Sequence, residues 1–325
     1  MKINFNFLKP KKYLIYDEEN SKFFKSYLDP NETEVLHCRK EQFNFWILVK
    51  CIFFLKLNYK NYILFYIQKI SPKSIFTLID NGTLFYQIKS KVNCKTYSVQ
   101  NGLRTEFEDF FSKEFHKPTN LSCDKIFVWN TKVGEKFAEY IKCEYVPIGS
   151  FKNNISEKIE TTKEDLLYIS TYRKTNLDKK IYKNLTWGEF IKNEVILILH
   201  LKNYCIKNNL KLSVLGRYDE ARGEKKYFEE KLGKDYSFNY IRNYPTRPTY
   251  SIASNSNLII TIDSTLGYEM LATGKKVALF GIRPEIYPLN TRNYLWPNYQ
   301  KGMGKYWLNT EPVTFDNFSN LVNNL

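Results

Sequence analysis

The stretch from Leu258 to Gly281, LIITIDSTLGYEMLATGKKVALFG, constrains the fold of this chain more than any other. Leu258 to Ile262 is an apolar, β-branched run without polar alternation, as expected of a strand buried on both faces of a parallel sheet. Asp263, Ser264 and Thr265 then supply the side-chain oxygens that start helices. The spacing predicts a helix as far as Thr273, stopped by Gly274, after which Lys275 and Lys276 lead into a second apolar strand, VALFG. Together they make one β-α-β crossover. The N–H groups at such a helix start, with the hydroxyls of Ser264 and Thr265, form a cradle for phosphate. Glu269 lies four residues after Thr265 on the same helix face, where its carboxylate could accept from a ribose diol. A plain crossover helix with a solvated Glu fits the same spacing, and both readings stay open. A Walker loop is excluded: six residues separate Gly267 from Gly274, and the Lys pair follows the helix instead of opening it.

At 325 residues the chain is long for one domain, and two α/β domains of about 150 residues each are expected. The boundary falls at the polar run Phe151 to Asp165, giving domains 1–150 and 151–325. A formal charge of +15 suggests an anionic partner, although the abundance of Lys, Asn, Ile, Tyr and Phe is also what an AT-rich coding bias produces. The basic residues are spread along the chain without a helix-turn-helix, RNP or zinc-finger pattern, so nucleic acid is not an expected partner. Six cysteines without a C-x-x-C pair read as reduced thiols of a cytoplasmic protein, and no metal site or cofactor is expected. The polar, basic start carries no signal-peptide pattern. Phe43 to Ile70 is the most apolar region, but Lys50, Lys56 and Lys60 break it below the length of a membrane-spanning helix. It reads as two aromatic-rich helices that either pack on the N-terminal sheet or lie against a membrane surface.

Chemistry-bearing residues recur where predicted strands end. SIFTLID ends at Asp80 and turns through Asn81-Gly82, placing an acid where it could take a proton from an acceptor hydroxyl. KTYSV leads into Gln100-Asn101-Gly102-Leu103-Arg104, where Arg104 is a candidate for an anionic substrate or for an ion pair with Glu106 or Glu108. DLLYI ends in Ser170-Thr171-Tyr172-Arg173, and KLSVL in Gly216-Arg217. The fork of Arg217 matches phosphate oxygens beside a Gly that permits close approach, or else it is solvated beside Asp219 and Glu220.

A strand ending in Asp-Ser-Thr, then Gly-x-Glu, then Ala-x-Gly-Lys-x-Val resembles the nucleotide-binding segment of GT-B glycosyltransferases, specifically those of bacterial surface-polysaccharide biosynthesis. The resemblance implies two Rossmann-like domains facing across a cleft, the N-terminal one binding the acceptor and the C-terminal one the nucleotide sugar. It places Arg173, Arg217, Asp263, Ser264, Thr265, Gly267 and Glu269 around the donor. Asp80-Asn81-Gly82-Thr83 is similar to the Asp-Asp-Gly-Ser turn of some bacterial sialyltransferases, whose acid is the catalytic base. Gln100-Asn101-Gly102 looks like the Gln-His-Gly turn of polysaccharide and teichoic-acid transferases. Asn101 stands where their His acts as base, and an amide cannot accept a proton at neutral pH. The base is therefore expected at Asp80, with Glu106 in reserve, and Asn101 and Arg104 on the acceptor. PIGSFKNN resembles the strand and turn by which such enzymes enter their second domain.

The expected activity is metal-independent transfer of a sugar from a CMP-, UDP- or GDP-linked donor to a glycan or lipid-linked glycan, at the inner face of the plasma membrane if the apolar region docks there. The Asp-Asn-Gly-Thr turn leans towards a CMP-activated sialic or Kdo-type sugar. A nucleotide-sugar 2-epimerase of the same fold and a non-catalytic GT-B-like binding module are the alternatives.

Overall fold

A computed structural model describes residues 2–280 except 20, 25–26, 103, 105–109, 112–117, 155–159, 173, 175–177, 183–184, 218–222, 235, 242–248 and 263. The chain divides into two compact units, one of Met1–Arg104 with Glu108–Ile155 and one of Ser156–Leu325 with Thr105–Phe107.

The first unit runs β1 (Lys2–Asn4), β2 (Tyr13–Ile15), β3 (Thr33–Val35), β4 (Gln42–Asn44), α1 (Phe45–Phe53), α2 (Tyr59–Ile70), β5 (Ser74–Thr77), α3 (Thr83–Ile88), β6 (Lys95–Val99), β7 (Ser122–Val128), α4 (Thr131–Ala138), β8 (Lys142–Pro147) and α5 (Phe151–Asn154). Its main sheet has the order β3-β2-β5-β6-β7-β8, with every pairing parallel, so successive strands need helical crossovers. Asparagines start three of these helices: the side chains of Asn44, Asn58 and Asn130 accept from the N–H groups of Ile47, Asn61 and Val133. Phe43 and Asn44 lie in β4, paired with β1, so the first of the two predicted helices begins two residues later than its apolar run suggests.

The second unit runs β9 (Glu164–Ile169), β10 (Lys180–Tyr182), β11 (Leu185–Thr186), α6 (Trp187–Lys207), β12 (Leu212–Leu215), α7 (Glu224–Leu232), β13 (Asn239–Ile241), α8 (Thr249–Ser254), β14 (Ser256–Thr261), α9 (Thr265–Ala272) and β15 (Val277–Leu279). Its sheet, β13-β12-β9-β14-β15, is also wholly parallel. Strand alternation splits the apolar run of β9 between two cores. Leu166 and Tyr168 join Leu197, Leu201, Phe228 and Leu232 of α6 and α7, whereas Leu167 and Ile169 join Tyr250, Ile252 and Met270 of α8 and α9. In β14, Leu258 and Ile260 face the first cluster and Ile259 the second. Each such side chain contributes about 1.5–3 kcal/mol by leaving water, so the central strands hold both layers. The β-α-β crossover expected of Leu258 to Gly281 is present as β14, α9 and β15.

The polar run at Phe151 to Asp165 is a shorter connection than its composition suggests. Phe151 to Asn154 forms α5, and the Phe151 ring packs against Phe24 and Tyr27 at 5.6 and 5.9 Å, which fixes it to the first unit. Glu164 already belongs to β9, where it is buried and accepts from Ser213 and Thr162. Among the described residues no helix is long and apolar enough to cross a membrane. The six cysteines are free, with Cys51, Cys123 and Cys205 buried.

Asp124, in β7, ties two strands of the first sheet to the segment after α3. It accepts from the Thr96 N–H at 2.8 Å and hydroxyl at 3.0 Å, and pairs with Lys89 at 2.5 Å. Desolvation pushes its pKa up, but the Lys89 and Thr96 donors outweigh that cost and hold the carboxyl at about 2. A depressed carboxyl stabilises the fold above its unfolded pKa of about 3.9 and loses that contribution as pH falls through the folded value. Asp124→Asn should therefore cost about 1–2 kcal/mol at pH 7, and the gap to the native chain should close between about pH 4 and pH 2 in denaturant melts.

Candidate functional site

In the second unit the chain lays β9, steps outward to β12 and β13, then returns to the other side of β9 for β14. The strand order thus reverses between β9 and β14, where neighbouring crossovers leave the sheet in opposite directions and open a crevice beyond the strands' carboxyl ends.

On the β14 side stands α9. Ser264 is its N-cap in extended geometry, yet its side chain makes no capping bond, unlike the capping box of Thr186 and Glu189 at α6. The N–H of Ser264 is taken by the Thr261 hydroxyl at 3.0 Å, and the Gly267 N–H bonds the Ser264 carbonyl at 3.0 Å. The N–H groups of Thr265 and Leu266 between them meet no acceptor among the described residues. Two donors and the Ser264 and Thr265 hydroxyls, all partly exposed, are thereby presented at the positive end of a helix. Asp263 lies outside the described residues.

Gly267 has a packing role. A Cβ there would run into the Thr261 methyl, so the glycine lets α9 lie close on the end of β14. Glu269 is not the solvated residue of the plain crossover reading. It is 3% exposed and accepts from the Tyr250 hydroxyl at 2.9 Å.

On the β9 side, two buried glutamates that the sequence reading missed hold the turn. Glu194 of α6 accepts from the Thr171 N–H and hydroxyl, both at 3.0 Å, and from the Tyr168 hydroxyl at 2.6 Å. Glu224, the first residue of α7, accepts from the Ser170 hydroxyl, from the Arg217 N–H at 3.0 Å and from the Tyr240 hydroxyl at 3.2 Å. At 1% and 0% exposure they draw on the donors of the turn, all three of those on Glu194 going to Oε1. A hydroxyl-rich strand end followed by helices with an acid on the inward face was the available signal. Gly216 gives room to the Tyr240 ring, whose hydroxyl a Cβ would strike, so the close approach it permits is to protein. Arg217 keeps its side chain at the exposed edge of the turn. Arg173, Asp219 and Glu220 lie outside the described residues.

In the first unit, Asp80 and Arg104, expected separately as base and anion receptor, come together. Arg104 Nε and Nη2 each donate to one Asp80 oxygen at 2.7 Å, and the two side chains are 0% and 11% exposed. The Tyr86 hydroxyl fixes the Asp80 carbonyl at 2.9 Å. The carboxylate expected as a base thus has both oxygens in a guanidinium fork, fully buried, in the arrangement of a counter-ion. Glu106 and Glu108, the other partners expected for Arg104, lie outside the described residues. Gln100 is a structural pin, donating to the Gly102 carbonyl and accepting from the Trp129 N–H, both at 2.9 Å, while the Asn101 Oδ1 beside it is buried without a partner among the described residues.

Two doubly wound parallel α/β units, one with helix-start donors at its strand-order reversal, define the class of the chain. Residues 97–325 match the family described as "putative O-antigen biosynthesis protein", and the chain belongs to that family. No curated protein matches the sequence. Among solved structures it is similar to the UDP-GlcNAc 2-epimerase from Neisseria meningitidis bound to UDP-GlcNAc, at 12% identity over 100% of this chain and 99% of that one, with a TM-score of 0.48. The UDP-GlcNAc 2-epimerase from Methanocaldococcus jannaschii gives 12% identity, full coverage of both chains and a TM-score of 0.46. A Staphylococcus aureus TarM point mutant in complex with fondaparinux, alpha-GlcNAc-glycerol and UDP gives 13% identity over 82% of this chain and 52% of that one, with a TM-score of 0.43.

Two substitutions read these assignments. Asp80→Asn strips the charge from a buried pair and should cost about 3–5 kcal/mol, seen as a large fall in melting temperature; a residue needed only as base would lose turnover with its melting temperature intact. Gly267→Ala, which at an open helix site would gain stability, should instead lose about 1–3 kcal/mol in denaturant melts because of Thr261.

Proposed function

We propose that the chain is a nucleotide-sugar-dependent glycosyltransferase of O-antigen biosynthesis, with the GT-B arrangement that its β-α-β segment resembles. The observation that carries the reading is the start of α9 at the strand-order reversal: two N–H donors unmatched among the described residues, and two hydroxyls, in the position where doubly wound sheets take phosphate. Membership of an O-antigen biosynthesis family supports a sugar as the group carried. In this reading the donor phosphates sit on the Thr265 and Leu266 N–H groups and the Ser264 and Thr265 hydroxyls. The positive helix end and the Arg217 guanidinium offset the charge that grows on the leaving phosphate as the glycosidic bond breaks. Arg173 and Asp263 complete the donor set. Glu269, held by Tyr250, places a carboxylate one turn below the phosphates, where a ribose hydroxyl can donate to it. Glu194 and Glu224 keep the turn after β9 rigid, which lowers the ordering cost of binding.

The first unit takes the acceptor. Arg104, aimed by Asp80, binds an anionic group on it, and the buried Asn101 oxygen receives a hydroxyl proton in a hydrogen bond. With Asp80 engaged as counter-ion, removal of the acceptor proton falls to Glu106. The same engagement removes the ground for preferring a CMP-linked donor, which rested on the acid of the Asp-Asn-Gly-Thr turn acting as base.

A melting-temperature panel of CMP, CDP, UDP, GDP and dTDP tests the donor site. One nucleotide should stabilise the chain by about 2.7 kcal/mol at a hundredfold excess over its Kd. Arg217→Ala should weaken it by about tenfold or more, and Ser264→Ala less, since the backbone donors remain. Indifference to every nucleotide would overturn the reading. Incubating the matching nucleotide sugar alone and with a glycan acceptor separates transfer from epimerisation: a 2-epimerase converts the free donor, whereas a transferase needs the acceptor.

A further inference from the structure

Helix α1 is apolar except for Lys50. Ile47 and Cys51 face the unit, 3% and 4% exposed, while Trp46, Val49, Ile52 and Phe53 on the opposite side are between 40% and 80% exposed. A water-facing helix side normally carries charge. The N-terminal segment extends the surface: the Phe7 ring stacks on Trp46 at 4.4 Å, and the Trp46 indole donates to the Phe5 carbonyl at 2.8 Å. Beyond the helix, Leu55 adopts a φ of 54°, a left-handed conformation that glycine takes freely and a leucine only at a cost. Its side chain is 86% exposed, so neither the turn nor the core accounts for an apolar residue there. The segment that carries the face has charge of one sign only. No Asp or Glu lies between Glu41 and Asp80, whereas Lys50, Lys56, Lys60, Lys69 and Lys73 do. The Lys50 and Lys56 ammonium groups sit 4.7 and 5.9 Å from the Phe65 ring centroid, and that ring touches the exposed Phe54 at 5.7 Å, so the cations border the apolar patch directly.

We propose that this face of the first unit docks on an anionic lipid bilayer, with the α1 side chains and Leu55 entering the boundary between headgroups and acyl chains and the lysines meeting lipid phosphates. An apolar surface bordered by ammonium groups is complementary to that layer. Two copies of the face brought together would set these lysines against one another without a counter-charge.

The test is co-sedimentation of the full chain, without nucleotide, with vesicles of phosphatidylcholine alone and of phosphatidylcholine with phosphatidylglycerol. The chain should bind the anionic vesicles, bind the neutral ones less, and lose affinity as salt rises. The double substitution Phe53→Ser and Leu55→Gly should lower the vesicle partition coefficient by at least about tenfold. Leu55→Gly alone should weaken binding while holding or raising the melting temperature, the reverse of what a structural leucine would show. Absence of binding to anionic vesicles, or native-like binding by the double variant, overturns the proposal. So does a lipid-free dimer that the double variant turns into monomer, since the face is then a contact between copies. Because no nucleotide is present, failure here is separate from failure of the donor site.

Discussion

The central strands of the second unit are buried on both faces, and most of its organisation follows from that burial. A strand such as β9, with Leu166 and Tyr168 in one core and Leu167 and Ile169 in the other, leaves little room for polar groups beyond the buried Glu164 at its start. Most of what can meet a ligand must be carried on the turns where the strands end. Parallel pairing puts those ends on one edge, and laying β14 beside β9 after β12 and β13 brings the start of α9 and the Ser170-Thr171 turn to adjacent positions on it. The hydrophobic effect that builds the sheet is thus also what concentrates its chemistry.

Acidic residues at these edges work mainly on the protein itself. Asp80 is clasped by Arg104, Glu224 by Ser170, Tyr240 and the Arg217 N–H, Glu194 by Tyr168 and Thr171, and Glu269 by Tyr250. Each sits at 3% exposure or less, where an unmatched charge is costly and a matched one fixes geometry. Among the described residues at this edge, Ser264 and Thr265 at the start of α9 are partly exposed.

The two apolar helices of the first unit show how one composition serves two ends. α2 buries Tyr62, Ile63, Tyr66, Ile67 and Ile70 against the unit, as expected of a helix packed on a sheet. α1, equally apolar, buries one side only. The lysines that interrupt the region fall beside the exposed side, with their stems and ammonium groups over Phe65.

Local sequence determined a good deal. The parallel α/β class, the β14-α9-β15 crossover and the strand ends before Ser170 and Gly216 were legible, because a buried strand, a cap and a glycine stop each depend on neighbours a few residues away, whereas β5 stops at Thr77, three residues short of Asp80. What Asp80, Glu269, Gly216 and Gly267 do was decided by tertiary structure. Asp80 meets Arg104 across 24 positions, Glu269 meets Tyr250 across 19, and the glycines make room for Tyr240 and Thr261. An acid on a strand end looks the same in sequence whether it awaits a substrate or a guanidinium. The difference lies in which distant donor the packed layers bring within 3 Å, and only burial makes that encounter obligatory.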